Sequence, residues 1–373
     1  MHALTLAFWP PTSHGSSTFP PPIMSEVNQQ VIADRLGLSR ATVSRCFTNH
    51  PGISAVTRAK VFQLAAEIGY THLESRSPSV RKKKKQASFS VLICSETEEY
   101  FREDYESPGE EILAGVSEYA QVNDILIEVH FISPNATDLS DPDFQKIDGL
   151  KDRSGRGILL IYPFPPTVIA QLAKRFPVVS TVDQVQTAGI DCVDVNHYDG
   201  ISRAIENLVA AGHERIGFYT KDYPIAATWS YRRHSAFIQK MARLERAVLP
   251  EDLIGIFPRA FGSTEAGIEE VIKRTKQGVT AWVCAADHQA YDLIDAFEKK
   301  GLSVPEDVSI TGFDGIQQDK NSPTLNTLEI PFRSIGTTGA ERLAARVHKR
   351  FGGTQHVYIS GKFRKGKTVA PRA

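Results

Sequence analysis

The sequence lacks the features of a membrane or secreted protein. No stretch of about 18 consecutive apolar residues is available for a transmembrane helix. The short apolar run Leu4–Trp9 has no basic residue before it and is followed by prolines, so it makes a poor signal peptide. We therefore expect a cytoplasmic protein.

Cysteine is scarce in this sequence and widely dispersed. The four cysteines, Cys46, Cys94, Cys192 and Cys284, form no CxxC pair, and no histidine cluster at metal-ligand spacing lies beside them. This usage is typical of reduced, buried thiols in a cytosolic protein. We expect no disulfide framework, no metal site and no cofactor.

The common catalytic motifs are also missing. The sequence has no GxSxG element, P-loop or GxGxxG turn, and no Ser/His/Asp spacing of a hydrolase. His213, in an Ala-Gly-His turn that enters a predicted strand, is expected to be structural. The sequence therefore predicts a protein that is not an enzyme.

The net charge of zero conceals a marked asymmetry along the chain. Residues 25–86 hold 11 Lys and Arg against four acidic residues, a net charge of +7, which leaves −7 for residues 87–373. Residues 1–24 contain no Asp, Glu, Lys or Arg and are rich in Pro, Ser and Thr, so we expect a disordered extension there. A basic module on an acidic one predicts that the first meets a polyanion and the second does not.

At 373 residues the chain exceeds what one hydrophobic core usually supports, so we expect two or three folding units. Residues 25–72 show the pattern of three short helices. Asn28 is placed to cap the first helix, and Gly37 can supply the positive φ of a sharp turn after it. Ser39 is placed to cap a second helix, Arg40 to Phe47.

The outward residues of the second predicted helix are small or basic: Arg40, Ala41, Ser44 and Arg45. Small residues let the backbone approach base edges that arginine can reach, so this helix favours insertion into the major groove of DNA. A generic helical bundle whose arginines form a solvated face is the alternative interpretation.

The run Ala33–Arg45 resembles the helix-turn-helix signature of the lactose-repressor (LacI) family. The resemblance implies an all-α DNA-binding head over residues 25–72, with double-stranded operator DNA as its partner. It also implies a set of DNA-contacting residues: Ser39, Arg40, Ala41, Thr42, Ser44 and Arg45. Arg40 and Ala41 would read bases, Arg45 would read bases or grip phosphate, and the hydroxyls would fix the register on phosphates.

Residues 73–87 depart from the hinge of that family. Family members usually have a hinge helix with a Pro-Asn start and a leucine that wedges into the minor groove. This chain has His72-Leu73 at the start, and Pro78 would interrupt a helix. Its basic run Arg81–Lys85 either adds nonspecific phosphate affinity or serves as a solvated tether.

From residue 88 onward, apolar strands alternate with amphipathic helices, which implies parallel sheets covered by helices. Strands are predicted at 90–94, 125–131, 157–161, 178–182, 216–219, 281–284 and 308–313. Helices are predicted near 108–121, 167–175, 200–211, 231–244, 263–276, 289–300 and 335–350.

The same family resemblance covers this second region, most specifically over residues 301–314. It implies an α/β bilobal, periplasmic-binding-protein-like domain over residues 88–373 that binds an effector and forms a homodimer. The N-subdomain is expected over about 88–195 and 327–350, and the C-subdomain over about 196–326 and 351–373.

Three acidic residues each follow a predicted strand: Asp183, Asp287 and Asp314. Ligands bind at the carboxyl ends of parallel strands, although an aspartate there can instead cap the next helix. The resemblance implies that Asp183, Arg233 and Asp314 contact sugar hydroxyls and that Phe261 stacks on a sugar face. The predicted effector set is therefore Asp183, Arg233, Phe261, Asp287 and Asp314.

The sequence thus predicts a DNA-binding transcription regulator, acting as a repressor, that responds to a sugar or sugar derivative. The alternative is a sugar-binding receptor without a role on DNA, which shares the bilobal domain but has no use for a helix-turn-helix. A sugar-modifying enzyme would need a catalytic group with a partner, and the sequence offers none.

Overall fold

A computed structural model of the protein describes residues 27–48, 50–70, 87–95, 107–147, 150, 156–221, 227–255, 263–348 and 353–372. The predicted extension over 1–24 and nearly all of the predicted linker over 73–87 lie outside the described residues. The described part holds a three-helix head followed by two α/β lobes. No helix in these ranges is long and apolar enough to cross a membrane.

The head consists of α1 (Gln29–Leu36), α2 (Arg40–Phe47) and α3 (Ala55–Glu67). The strands of the two lobes are β1 (Ser88–Cys94), β2 (Leu126–Ile132), β3 (Arg156–Ile161), β4 (Val178–Thr181), β5 (Asp191–Val195), β6 (Ile216–Tyr219), β7 (Leu253–Ile254), β8 (Ala281–Cys284), β9 (Ser309–Asp314), β10 (Asn326–Glu329), β11 (His356–Ile359) and β12 (Lys362–Arg364). Their helices are α4 (Pro108–Val122), α5 (Pro142–Gln145), α6 (Pro166–Ala173), α7 (His197–Ala210), α8 (Thr228–Arg243), α9 (Thr264–Lys276), α10 (Asp287–Lys299) and α11 (Phe332–Val347).

The first two head helices begin and end where the sequence predicts. The side chains of Asn28, Ser39 and Ser54 each accept a hydrogen bond from an amide of the first turn of the helix that follows. Gly37 ends α1 with a φ of +61°, a conformation that favours glycine. The helices share a core of small and branched apolar residues: Ile32, Ala33, Val43, Cys46, Val61, Leu64 and Ala65.

The N-terminal lobe is built on a parallel six-stranded sheet with the order β11-β5-β4-β3-β1-β2. Residues 89–94 of β1 are buried, as expected for a parallel strand covered on both faces. Alternate side chains of a strand point to opposite faces. Accordingly, Phe89, Val91 and Ile93 join one apolar core, and Leu92 and Cys94 join the other.

The C-terminal lobe has a second six-stranded sheet with the order β12-β10-β9-β8-β6-β7. Its strands are parallel except for β12, which pairs antiparallel with β10. Helix α7 packs against α8 and against strands β9 and β10 of this lobe. All four cysteines are buried free thiols, as predicted from their dispersal.

The chain crosses between the lobes after β5, after β10 and after β11. The first crossing follows Val195, the last residue of β5. The second predicted segment, 327–350, needs correction at both ends, because β10 lies in the C-terminal sheet and β11 lies in the N-terminal sheet. Strand β11 belongs to the N-terminal lobe because it pairs with β5 through the register of Val357 with Val193.

The head rests against the N-terminal lobe. Helix α3 packs on α4 and β2, and Ala59 and Phe62 are buried in the apolar core of that lobe. The side-chain amide of Gln121, at the end of α4, donates to the carbonyl of Pro51 at 3.2 Å. The head therefore contacts the lobe directly, through α3 and the turn before it.

Candidate functional site

The first candidate site is the outer side of α2. The structure brings the six predicted DNA-contacting residues to this side, because Val43 and Cys46 on the opposite side are buried. Neither Arg40 nor Arg45 has an ion pair with any residue that the structure describes. Four of the six are exposed and two are half-buried: Ser39, Arg40, Ala41 and Arg45, and Thr42 and Ser44.

Two hydroxyl groups fix the start of this helix. The Oγ of Ser39 accepts a hydrogen bond from the Thr42 amide at 3.1 Å and lies 2.9 Å from the Thr42 Oγ1. This cap satisfies an amide that would otherwise lack a partner at the helix N-terminus. The small, exposed side chains of Ser39 and Ala41 leave the backbone open to close approach by a polyanion.

A buried arginine holds the C-terminal end of α2 in place. The guanidinium of Arg58 donates to the carbonyl of Cys46 at 3.1 Å and to the carbonyl of His50 at 2.9 Å. Arg58 was not among the residues for which the sequence predicts a role. The available signal was its spacing, because Arg58 precedes Val61 and Ala65 by three and seven residues and so shares their buried face.

The second candidate site lies between the lobes, at the carboxyl ends of the strands. Three residues without glycine's freedom have positive φ there: Tyr162 after β3 at +72°, Val182 after β4 at +55° and Asp314 at the end of β9 at +137°. Such backbone strain occurs most often at functional sites. The strands therefore end at a cleft in the position where α/β sheets bind ligands.

A chain of polar contacts connects the lobes at this cleft. The imidazole of His197 lies 2.8 Å from the Asp194 carboxylate through Nε2, and its Nδ1 lies 3.3 Å from the Nε of Arg233. Arg233 in turn pairs with Asp314 at 3.1 Å and donates to the carbonyl of Ala285. The structure thus brings two predicted effector residues, Arg233 and Asp314, into direct contact.

These polar contacts and the burial of the groups shift the pKa values of His197 and Asp194 at the cleft. Burial lowers the pKa of His197, although Asp194 opposes the fall. Burial works against the ionised form of Asp194, but His197 and Arg233 hold the pKa of that carboxyl below its usual value. Asp194 and His197 were not predicted as site residues from the sequence. Asp194 lies near the end of β5, a strand that was also missed, and His197 follows that strand. This position at a strand end was the available signal.

A cavity of about 960 Å³ opens between the lobes beside these polar contacts. Asp183 lies in its wall, and the hydroxyl of Thr228 donates to the Asp183 carboxylate. Burial raises the pKa of Asp183. The lining residues come from both lobes: Phe164, Pro166, Ile169, Asp183, Gln184, Val185, Gln186, Thr187, Asn196, His197, Tyr198, Thr228, Tyr231, Arg232, Ser235, Ala236, Gln239 and Tyr358.

The remaining predicted effector residues are Asp287 and Phe261. Asp287 is fully buried, and its carboxylate accepts hydrogen bonds from the amides of Gly315 and Ile316 at 2.7 and 2.6 Å and from the Thr327 hydroxyl at 2.6 Å. It therefore holds the loop that follows Asp314, and its contact with an effector stays a prediction. Phe261 lies outside the described residues. The part of the chain that the structure describes contains no group of side chains that could hold a metal ion.

Two family models match the chain. The model of the bacterial regulatory proteins of the lacI family matches residues 30–72, and that of the periplasmic binding protein-like domain matches residues 205–369. The chain is 27% identical over 354 residues to the HTH-type transcriptional regulator IpsA of Corynebacterium glutamicum, a match that covers 91% of this chain and 96% of that protein. It is 25% identical over 321 residues to the ribose operon repressor of Haemophilus influenzae, with 85% and 90% covered.

Solved structures share this fold. A complex of the transcriptional regulator CelR with cellobiose matches with a TM-score of 0.63 at 17% identity, over 92% of this chain and 100% of that one. The lac repressor dimer bound to operator and the anti-inducer ONPF matches with a TM-score of 0.62 at 21% identity, over 93% and 100%.

A helix-turn-helix head followed by a two-lobed domain with a cleft at its strand ends defines a class of ligand-responsive regulators. The matched family models and the relatives specify which kind of regulator within this class the chain resembles. The chain combines a DNA-binding domain that matches the lacI family of bacterial regulatory proteins with a periplasmic binding protein-like domain, as the resemblance of residues 33–45 predicts. Both the predicted family and the predicted bilobal fold are confirmed.

Proposed function

We propose that this protein is a sequence-specific transcription regulator, acting as a repressor, whose affinity for operator DNA is set by a small-molecule effector. The effector is a sugar or a sugar derivative and binds between the lobes. The observation that carries the proposal is the exposed face of α2, whose two arginines have no ion pair within the described part of the chain, together with an interlobe cavity in the same chain.

The head reads DNA with α2 in the major groove. Arg40 and Ala41, in the first turn, contact base edges, and Arg45, one turn later, contacts a base or a phosphate. The hydroxyls of Ser39, Thr42 and Ser44 bond phosphates and so fix the register of the helix on the duplex. The hydrogen bonds of Arg58 keep α2 rigid for this purpose.

The effector binds at the strand ends and acts by changing the relation of the two lobes. Asp183, Arg233 and Asp314 supply carboxylate and guanidinium groups for sugar hydroxyls, and Phe261 stacks on the ring. Related solved structures support this, because they contain bound cellobiose, sucrose or ribose. A ligand with different affinities for the open and closed cleft shifts the positions of the DNA-binding heads.

The regulator acts in the cytoplasm as a homodimer, with two heads on a near-palindromic operator. The relative solved as a repressor dimer on its operator supports this assembly. The protein acts without catalysis and without a cofactor. Its relatives are named as transcriptional regulators and repressors, which supports a role of this kind.

The test is selection of binding sites from random double-stranded DNA by the full chain. We expect an inverted repeat to be enriched. The Arg40→Ala variant should lose about 1–3 kcal/mol on that site and little on random DNA, because a base contact is lost.

The matched control is Lys60→Ala, which removes one exposed positive charge from α3, outside the predicted reading helix. It should weaken specific and random DNA alike. Equal losses on both DNAs for Arg40→Ala would contradict the base-reading role. Failure of the full chain to enrich any sequence would favour the alternative, a sugar-binding receptor without a role on DNA.

A further inference from the structure

The interlobe cavity contains few charged side chains. Among the residues that line it, Asp183 supplies the carboxylate, Arg232 supplies the guanidinium, and His197 is an imidazole that already bonds Asp194. The other polar groups of the wall are neutral amides and hydroxyls from Gln184, Gln186, Thr187, Asn196, Tyr198, Thr228, Tyr231, Ser235, Gln239 and Tyr358. Any charge preference of the cavity therefore depends on Asp183 and Arg232.

Arg232 is a half-buried guanidinium whose donors are unused. It forms neither a hydrogen bond nor an ion pair with any residue that the structure describes, and its Nε is buried without a partner. Its neighbour Arg233, in contrast, is paired with Asp314 at 3.1 Å. A guanidinium presents its donors in a planar fork that matches a carboxylate or a phosphate.

The carboxylate of Asp183 does not satisfy Arg232. The positive charge of Arg232 reaches Asp183, since it opposes the rise that burial causes in the pKa of that carboxyl, but no ion pair joins the two groups. Asp183 accepts instead from the hydroxyl of Thr228. The guanidinium therefore stays available to a bound molecule.

Two helix N-termini add positive potential to the same cavity. Pro166 lies at the start of α6 and Thr228 at the start of α8, and both line the wall. Neither helix has a side-chain cap or an acidic residue in its first turn. The partial positive charge at such ends favours an anion, which here would lie in the cavity that also contains Arg232.

We propose that the effector is anionic, namely a polyhydroxyl molecule that carries one carboxylate or phosphate group, and that Arg232 pairs with this group. The proposal rests on the proposed function, since it specifies the class of ligand that enters the interlobe cavity. The amides of Gln186 and Gln239 and the carboxylate of Asp183 bond the hydroxyls of the ligand. A volume of about 960 Å³ accommodates one or two sugar rings.

The experiment measures ligand binding to the full chain by calorimetry with two matched series. Glucose is compared with glucuronate and glucose 6-phosphate, and galactose with galacturonate and galactose 6-phosphate. In at least one series, we expect an acidic member to bind about 10- to 100-fold more tightly than its neutral parent, the range for hydrogen bonds to a charged group. This preference should fall with added salt, because the site is partly open to solvent. Tighter binding of the uronate would identify the bound group as a carboxylate, and tighter binding of the sugar phosphate would identify it as a phosphate.

Variants at Arg232 decide whether it carries the preference. Arg232→Gln should bring the acidic member to the affinity of its neutral parent, and Arg232→Lys, which keeps the charge without the fork, should retain part of the preference. The control Arg246→Gln removes a charge just beyond the end of α8 and outside the cavity wall, and it should leave the preference unchanged.

Equal binding of neutral and acidic members, or no binding of any acidic member, overturns the proposal. An acid preference that survives Arg232→Gln overturns the role of Arg232. These failures differ from a failure of the proposed function, because selection of DNA sites by the same ligand-free chain is measured separately. A chain that selects an operator but prefers neutral sugars would retain the regulator and lose the anionic effector.

Discussion

The buried carboxylate of Asp287 illustrates how much one ionisable residue contributes at the cleft. Its three hydrogen bonds hold the loop that carries Gly315 and Ile316, directly after Asp314. Burial, with a smaller contribution from the charge of Asp314, raises the pKa of Asp287 to about 7. Folding therefore favours the protonated form of this residue over much of the acidic pH range.

The Asp287→Asn variant tests this pKa. A raised pKa means that the folded chain binds the proton more tightly, so the stabilisation is present below the ordinary value of 3.8 and is lost as pH rises through about 7. Asparagine can keep the contacts, since its oxygen can accept from both amides and its NH₂ can donate to Thr327. The free energy of unfolding of the wild type, minus that of the variant, should fall by at most about 1.4 kcal/mol per pH unit over this range.

Urea unfolding between pH 5 and pH 8 measures this difference. Asp307→Asn, at an exposed position, serves as the control and should show no comparable slope. A difference that stays constant or rises with pH would show that Asp287 is ionised throughout.

At the residue scale, the features that could be predicted from the sequence are those that follow a local rule. Ser39 and Gly37 were predicted because capping and positive φ depend on a few neighbouring residues. Arg58 and His197 were missed because their partners lie in other elements, and a rule that places charged residues outside excludes both. Asp287 follows a strand, as an effector contact would, and only the fold places its carboxylate in the loop after Asp314.

At the scale of elements, the contact of α4 with α11 depends on two glycines. A Cβ at Gly115 would lie 2.0 Å from the carbonyl oxygen of Arg333, and a Cβ at Gly336 would lie 1.9 Å from that of Ile112. These distances are far below van der Waals contact and involve backbone atoms, which cannot move aside without shifting a helix. The two helices therefore approach as closely as they do because both positions lack a side chain.

The Gly336→Ala variant should destabilise the N-terminal lobe by about 1–3 kcal/mol, the usual cost of overpacking a core. Urea unfolding at neutral pH measures the loss. Gly353→Ala is the matched control, since a Cβ there meets no atom within 4 Å. A Gly336→Ala variant as stable as this control would mean that α4 and α11 lie farther apart in solution.

The same scale shows which elements a sequence can predict. All seven predicted strands are present. Most of them are apolar runs buried on both faces, whereas β2, at the edge of its sheet, is only partly buried. Strands β5, β7, β10, β11 and β12 were missed, since they are short or carry polar residues. Strand β5, for example, contains Asp191 and Asp194, both of them buried and paired. Contacts with residues that are distant in the sequence stabilise such strands. A single sequence does not show which residues will make these contacts.

At the scale of the whole molecule, the DNA-binding head and the effector domain meet in a contact that the sequence did not predict. Helix α4 lies between the cleft and the head: the hydroxyl of Tyr162 accepts from the Gly109 amide at 2.8 Å at its start, and Gln121 donates to the Pro51 carbonyl near its end. Tyr162 is the residue with positive φ after β3. One helix therefore contacts a residue at the strand ends near the cleft and a residue of the head.

The Gln121→Ala variant tests whether this contact forms in solution. Losing one hydrogen bond worth about 0.5–1.5 kcal/mol should raise amide hydrogen exchange in the turn over residues 50–53 by roughly 2- to 10-fold, since each 1.4 kcal/mol is a factor of ten. Exchange should be measured on the full chain by mass spectrometry. Val122→Ala, next in sequence and 85% exposed, is the control and should leave this turn unchanged. If Gln121→Ala behaves like Val122→Ala, the head does not rest on α4. If it raises exchange in the turn alone, α4 is a physical connection between cleft and head that does not require the atypical linker.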